Sequence, residues 1–350
     1  MIIVNARFLT QEISGVQRFA IEICRELKKR ELNLDFVAPV NIVHEELALE
    51  FGVRKIGFLK GHLWEQITLQ KYVCFKKKTI LISFCNTAPI FIKRQIVTIH
   101  DLSFRIYPEW NSKLFVLVYN FIIPRIAHKS KHIITVSETS KKELIKELGV
   151  KQQKISVVYN AVSSVFEKRT IPNTAKYQKL LKEDYIMTVS SHHPRKNLEK
   201  LVEAFLKISD KEINLYIIGN VNKNYTKVNG LDKQASSQIK ILKNLNDTDL
   251  NNFFINTKLF VYPSFYEGFG IPIIEALSHK VPVCVSDIDV FHEVCGDNVT
   301  YFNPHDVNDI KEKIEIALNT KNKSEIDLKK YSWEKSSIKV KNLLLSQSKN

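Results

Sequence analysis

Glycine is scarce in this chain, ten residues in 350, where an average globular protein holds about 7%. Each glycine that remains is more informative than usual, because close backbone approach and left-handed conformations are its main physical uses. Cysteine is sparse too: Cys24, Cys74, Cys85, Cys284 and Cys295 are an odd number with no C-x-x-C pair. A disulfide framework and a cysteine metal cluster are not expected, and a reducing cytoplasm is. Long apolar runs are missing. The best candidate, Leu114 to Ala127, is interrupted by Asn120, Pro124 and Arg125, short of the roughly 18 residues of a membrane helix. The opening run MIIV meets Asn5 and Arg7 at once, below the about 7–15 apolar residues of a signal-peptide core, so export is not expected. What is present is a globular composition, 44% hydrophobic and 25% charged, which excludes global disorder. A length of 350 residues favours two domains, with one large barrel as the alternative.

Charge is unevenly placed. Of a net +15, residues 1 to 170 hold 27 Lys+Arg against 15 Asp+Glu, leaving +3 for the rest. Residues 51 to 100 contain nine basic residues and one acidic, Glu65. That density suits an anionic membrane surface or a nucleic acid, and equally a solvated lysine-rich face. No zinc finger, RNA-binding aromatic consensus or arginine-rich helix accompanies it, so nucleic acid is not an expected partner.

Short apolar runs alternate with amphipathic ones, the pattern of a parallel sheet covered by helices. IIVNARF, LDFVAPV, TILISF, QIVTIHD, HIITVS and ISVVYNA read as strands of a first half, with a helix from Val16 to Lys29. YIMTVSS, NLYIIGN, IKILKNL, LFVYPS and VPVCVSD read as strands of a second, with NLEKLVEAFLKI and DTDLNNFFINT as helices between them. The least periodic stretch, Ser163 to Lys182, is the expected linker, and a helix near Tyr331 to Leu345 closes the chain. The expected division is residues 1–165, 180–330 and a tail of 331–350.

Two of the ten glycines lie in Gly268-Phe269-Gly270, within FVYPSFYEGFGIPIIEALSHKVPVCVSD. A strand ends at Tyr262, a loop follows, and Pro272 suits the start of a helix. Such a corner exposes backbone N–H groups and a positive dipole end, which bind phosphate without a side chain. Glu267 precedes the loop and Glu275 is expected in the first helical turn, where it is exposed and can accept ribose hydroxyls. Singly, Glu275 also reads as a favourable charge at a helix N-terminus and Glu267 as a loop-ordering acceptor. Together, the string P-S-x-x-E-G-F-G-x-P-x-x-E-A resembles the E-x7-E element of glycosyltransferase family 4, retaining enzymes of the GT-B fold.

The resemblance extends over nearly the whole chain. VNARFLTQEISGVQRFAIEI is similar to the family's first strand, glycine turn and helix, which implies that Gly15 brings backbone close to the donor diphosphate. TIHDLSFRIYPEW resembles the segment with a histidine at the cleft floor, here His100, followed by Asp101. ITVSETSKKELIKELGV and KISVVYNAV resemble the last strands of the first domain. TVSSHHPRKNLEKLVEAF carries the pair Arg195 and Lys196, which the resemblance aims at donor phosphates. YSWEKSS resembles the start of a tail helix that crosses back to the first domain. The departures are Ser190, Lys280, Ser14 and Ala161, which stand where the family commonly has glycine.

Weaker signals also occur. His192 and His193 lack further ligands at zinc spacing, so no metal is expected. His100 by itself reads first as a satisfied buried histidine, and the resemblance reverses that preference. Asp247-Thr248-Asp249 and Asp287-Ile288-Asp289 are D-x-D triplets, which a metal-dependent GT-A transferase would use. The resemblance implies an α/β GT-B fold of two Rossmann-like domains facing across a cleft, the second binding the nucleotide sugar and the first the acceptor. It implies a metal-independent retaining transferase that needs no cofactor. Its site would consist of His100, Glu267, Arg195 and Lys196, with Gly15, Gly268, Phe269, Gly270 and Glu275 on the donor. The branch it most resembles builds bacterial O-antigen, capsule and other surface polysaccharides with mannose or rhamnose. The best single donor is GDP-mannose, with other dTDP- or UDP-sugars as alternatives. The acceptor expected is a lipid-diphosphate-linked glycan at the inner face of the cytoplasmic membrane. A non-catalytic nucleotide-sugar-binding scaffold on the same fold is the rival class.

Overall fold

The computed structural model describes residues 1–76, 78–167, 175–191, 193–210, 212–219, 237–320 and 327–349. His192 and residues 168–174 of the expected linker lie outside them. The chain divides into two compact units, Met1–Asn160 with Lys330–Asn350, and Ala161–Lys329.

The first unit is built on a seven-stranded sheet: β1 (Ile2–Asn5), β2 (Leu34–Ala38), β3 (Arg54–Lys55), β4 (Ile80–Ser83), β5 (Gln95–Thr98), β6 (His132–Thr135) and β7 (Ile155–Val157). The strand order is β3-β2-β1-β4-β5-β6-β7, with every pairing parallel. Buried along their whole length, β1, β4, β5 and β6 centre on the Ile, Leu and Val residues that a covered parallel sheet requires. β3 escaped sequence reading because its two residues, Arg54 and Lys55, are exposed at the sheet's edge and carry no apolar signal.

The second unit is built on β8 (Tyr185–Val189), β9 (Asn214–Ile218), β10 (Ile239–Leu242), β11 (Leu259–Tyr262), β12 (Val283–Ser286) and β13 (Thr300–Phe302). Their order is β10-β9-β8-β11-β12-β13, again all parallel. β13, three residues long and half exposed, is the other strand the sequence left unread. The helix Leu198–Leu206 buries Leu201, Val202 and Phe205 beside Ile186, Leu215 and Ile217 of the sheet. In both units the strand order reverses between two neighbours, β1 and β4 in the first and β8 and β11 in the second. The connections there leave toward opposite faces, and the carboxyl ends of the two strands open a crevice.

The tail helix Trp333–Lys349 packs on the helix Gly15–Lys28 of the first unit. Ser336 Oγ donates to Tyr159 O at 2.7 Å and Arg30 Nε donates to Ser337 Oγ at 3.0 Å. Val340 and Leu344 are fully buried, and Trp333 meets Phe19 edge-on at 6.0 Å.

Candidate functional site

The reversal point of the second unit carries the densest charge cluster of the two crevices. β8 is followed by a single 3-10 turn, Pro194–Lys196, and then by the helix Leu198–Leu206. His193 Nδ1 accepts from Arg195 N at 3.3 Å and caps that turn. Asn197 takes the left-handed conformation at φ 52°, a role in which asparagine is well tolerated. Its Nδ2 donates to Pro263 O and Pro304 O, and Phe265 N donates to Arg195 O at 2.8 Å. The turn after β8 is thus stitched to the loop after β11.

That stitching brings three charges together. Glu267 Oε2 accepts from Arg195 Nη1 at 3.0 Å, and Oε1 accepts from Lys196 Nζ at 2.6 Å and from Ser264 Oγ at 2.8 Å. Lys196 Nζ also donates to Tyr262 Oη at 2.5 Å. Burial pushes the Glu267 carboxyl up, yet the charges of Arg195 and Lys196 and the hydrogen bonds from Lys196 and Ser264 outweigh it and hold the carboxyl at about 2. Burial, and then the neighbouring Glu267, pushes the Tyr262 phenol well up, so it stays neutral. The result is an ionised Glu267 with two cations, one net positive charge held at the mouth of a crevice.

Gly270 sits at φ 101° as the N-cap of the helix Ile271–Ser278. A Cβ there would lie 3.0 Å from Ile273 Cδ1 and 3.1 Å from Phe291 Cε1, so both conformation and space call for glycine. Phe269 is buried, with Gly268 beside it in the loop. Glu275 corrects the sequence reading twice. The helix starts at Ile271, which makes Glu275 its fifth residue, past the first turn, and its side chain is buried with 7% exposure. The arithmetic of Pro272 misled, because proline occupies the second helical position and not the first.

Ser190 follows β8, where its carbonyl leaves no room for a side chain on Gly219: a Cβ there would sit 2.0 Å from Ser190 O. Lys280 adopts φ 58°, a left-handed position where glycine is at ease. Ser14 caps the helix Gly15–Lys28, its N–H and Oγ both donating to Gln17 Oε1. Ala161 is buried, and Gly15 is the exposed first residue of its helix.

In the first unit, β5 ends at Thr98, so His100 and Asp101 lie in the loop beyond it and not on the strand. His100 is 5% exposed, its Nε2–H on Phe84 O at 2.8 Å and its ring edge-on to Phe19. Burial lowers its pKa, so the imidazole is neutral near pH 7, and the carbonyl partner makes Nδ1 the acceptor nitrogen. Asp101 Oδ1 accepts from Ser103 N. Sequence reasoning passed over a second cluster at the ends of β1 and β4. Glu65 is fully buried, accepting from Asn5 Nδ2 at 2.7 Å and from Arg7 Nε at 3.3 Å, and Arg7 Nη2 reaches Thr87 Oγ1 at 2.7 Å. Its signal was a lone carboxylate within a basic stretch. The residues missed in the second unit, Tyr262, Ser264 and Asn197, carried the signal of polar atoms flanking strand ends.

Among the described residues no group of three His, Cys, Asp or Glu side chains is disposed to hold a metal ion. Asp247 and Asp249 open the helix Asp247–Asn256, and Asp287 binds His292 Nε2 at 2.6 Å. Both D-x-D triplets therefore serve helix starts, where acidic residues are favoured by the dipole. No helix among the described residues is long and apolar enough to cross a membrane.

Residues 13–165 match Glycosyltransferase Family 4, and residues 171–334 match Glycosyl transferases group 1. The O-antigen chain mannosyltransferase RfbU of Salmonella typhimurium is 30% identical over 242 residues, which is 69% of this chain and 65% of that protein, just under two thirds of the relative's length. The O-antigen chain mannosyltransferase B of Escherichia coli is 30% identical over 262 residues, 70% of this chain and 68% of that one. The crystal structure of Anabaena HepE in complex with UDP and glucose shares the fold at a TM-score of 0.75 and 17% identity, covering 99% of each chain. Two parallel Rossmann-like units and two adjoining family matches agree, and the chain belongs to glycosyltransferase family 4, with the GT-B fold.

Proposed function

We propose that the protein is a retaining hexosyltransferase of surface-polysaccharide synthesis. It would move mannose from GDP-mannose to a growing, lipid-diphosphate-linked glycan at the inner face of the cytoplasmic membrane. The observation that carries this reading is the Arg195–Glu267–Lys196 cluster at the reversal point of the second unit, beside the glycine-capped helix at Gly270. A leaving nucleoside diphosphate gathers negative charge as the glycosidic bond breaks. Two fixed cations and a helix N-terminus are suited to stabilise it, which is why no metal is assigned to the step. Glu267, kept ionised and immobile, would accept hydroxyl hydrogen bonds from the sugar while fixing both cations. Glu275, deeper in the helix, would hold the ribose. In the first unit His100 would serve the acceptor side as a neutral imidazole, and Gly15 would leave space for the diphosphate.

Double displacement needs a carboxylate nucleophile against the anomeric carbon. Glu267 is committed to two cations and Asp101 to a backbone N–H. The reading is therefore same-face attack, with a leaving phosphate oxygen taking the acceptor hydroxyl's proton. The mannosyltransferase names of the relatives support mannose, and the UDP and glucose bound to HepE make UDP-glucose the control donor.

The test is a thermal-shift panel of GDP-mannose, UDP-glucose and dTDP-rhamnose, followed by NMR of the product linkage. GDP-mannose at 100 times its Kd should stabilise by about 2.7 kcal/mol. Arg195→Ala and Lys196→Ala should each slow transfer by about 100- to 1000-fold, with activity persisting in EDTA. Stabilisation by none of the three donors would overturn the donor assignment, and an inverted linkage would overturn the mechanism.

A further inference from the structure

β4 pairs with β5 only as far as Ser83 opposite Val97, and His100 lies beyond that point. On the β6 side Ile99 N still reaches Ile134 O at 2.9 Å. On the β4 side the loop after the strand has to supply the partners. Asn86 stands there at φ 59°, the centre of a three-residue turn closed by Thr87 N on Cys85 O at 2.6 Å. A turn of this kind with a left-handed centre is rare and strained, and such strain persists only where the surroundings enforce it.

In a parallel ladder a residue donates its N–H to the carbonyl before the facing residue and accepts from the N–H after it. Asn86 N donates to Thr98 O at 2.9 Å, and its side-chain Oδ1, in place of its own carbonyl, accepts from His100 N at 2.8 Å. The side chain thus carries the ladder on after the β4 backbone has turned away. The same loop holds the ring, since Phe84 O accepts from His100 Nε2–H at 2.8 Å. The loop is anchored in turn by buried charge. Thr87 Oγ1 accepts from Arg7 Nη2 at 2.7 Å, and Arg7 Nε donates to Glu65 Oε1 at 3.3 Å. Asn5 Nδ2 donates to both Glu65 Oε1 and Ser83 Oγ, tying the ends of β1 and β4 to that pair.

We infer that Asn86 is a positioning residue for His100. It fixes the main chain from which the imidazole projects, while Arg7 and Glu65 hold the loop that carries it. With Nε2–H on Phe84 O, Nδ1 is presented in one orientation to a substrate hydroxyl, and a misplacement of about 1 Å there can cost about 100-fold in rate. The inference rests on the acceptor-side role proposed for His100 above.

Asn86→Gly tests it, because glycine keeps the left-handed turn and removes only the Oδ1 acceptor. Its kcat for transfer should fall about 10- to 100-fold. The KM for the nucleotide sugar, and the thermal shift that sugar produces, should be unchanged, since the Arg195–Glu267–Lys196 cluster lies in the second unit. Asn86→Asp, which keeps an acceptor oxygen and tolerates the same backbone, should recover most of the rate. His100→Ala should be slow and His100→Ala/Asn86→Gly no slower, because a residue that acts through His100 then has nothing left to position. Independently of activity, NMR of the ring nitrogens in isotope-labelled histidine should show His100 as a single Nε2–H tautomer in the wild-type chain and as exchanging tautomers in Asn86→Gly. Additive losses in the double variant, no recovery by Asn86→Asp, or an unchanged His100 signal in Asn86→Gly would overturn the inference and leave the role of His100 standing. Transfer at the wild-type rate by His100→Ala is a different failure: it would overturn that role itself, and the effect of Asn86 on rate with it.

Discussion

A carboxylate as deeply buried as Glu267 would ordinarily be protonated, and the two cations beside it are what keep it charged. Because its folded pKa of about 2 lies below the ordinary 4.5, its contribution to stability is fully present above pH 4.5 and lost as pH falls through about 2. Glu267→Gln should remove that dependence and, at neutral pH, cost about 3 kcal/mol by leaving two partly buried cations without their counter-charge. Urea unfolding of both proteins from pH 7 to pH 2 would read this as converging midpoints at the acid end. A constant difference across the range would show that the loss does not come from the charge of Glu267. Glu65 is held at about 2 in the same direction, by Arg7 against its own burial, so some acid sensitivity should survive in the variant.

At the scale of elements, turns in the second unit are set as much by what faces them as by the residues in them. Gly219 is held to glycine by the Ser190 carbonyl, 2.0 Å from where a Cβ would stand. Lys280 is the converse, a side chain at a left-handed position. It ends the helix Ile271–Ser278 in the left-handed region, with Val281 N reaching back to Ala276 O and Lys280 N to Leu277 O, the pattern of a Schellman stop. A lysine there bears a steric cost of about 1–2 kcal/mol that glycine avoids, partly offset by glycine's larger unfolded-state entropy. Lys280→Gly should therefore raise stability by about 0.5–1 kcal/mol without altering the helix before it. A lowered melting temperature would mean that Lys280's side chain contributes more than its backbone costs.

For the whole molecule, the first unit is made from both ends of the sequence. Trp333, Val340 and Leu344 of the tail helix are buried beside Phe19 and its helix, each worth about 1.5–3 kcal/mol when removed from water. Phe19 in turn packs on His100, so the tail supports the loop after β5 through one aromatic ring. Residues 1–160 expressed alone should lack cooperative thermal unfolding, and adding the tail as a synthetic peptide should restore it. A sharp, peptide-independent melt of the fragment would refute the dependence.

Most of the architecture was legible because parallel strands buried on both faces must be apolar runs, and these are visible one residue at a time. β3 and β13 were illegible for the converse reason: each is short, and the Arg54–Lys55 edge is polar. The E-x7-E string marked Glu267 and Glu275, and the Arg-Lys pair marked the other two charges. Sequence alone thus determined the fold class, the family and which charged residues to look for. Only tertiary structure decided that Glu267 lies within hydrogen-bond reach of residues about 70 positions earlier, since β8 and β11 become neighbours through parallel pairing across a strand reversal. Tertiary structure likewise buried Glu275 and Glu65, because exposure is a property of what packs around a side chain and not of the side chain itself.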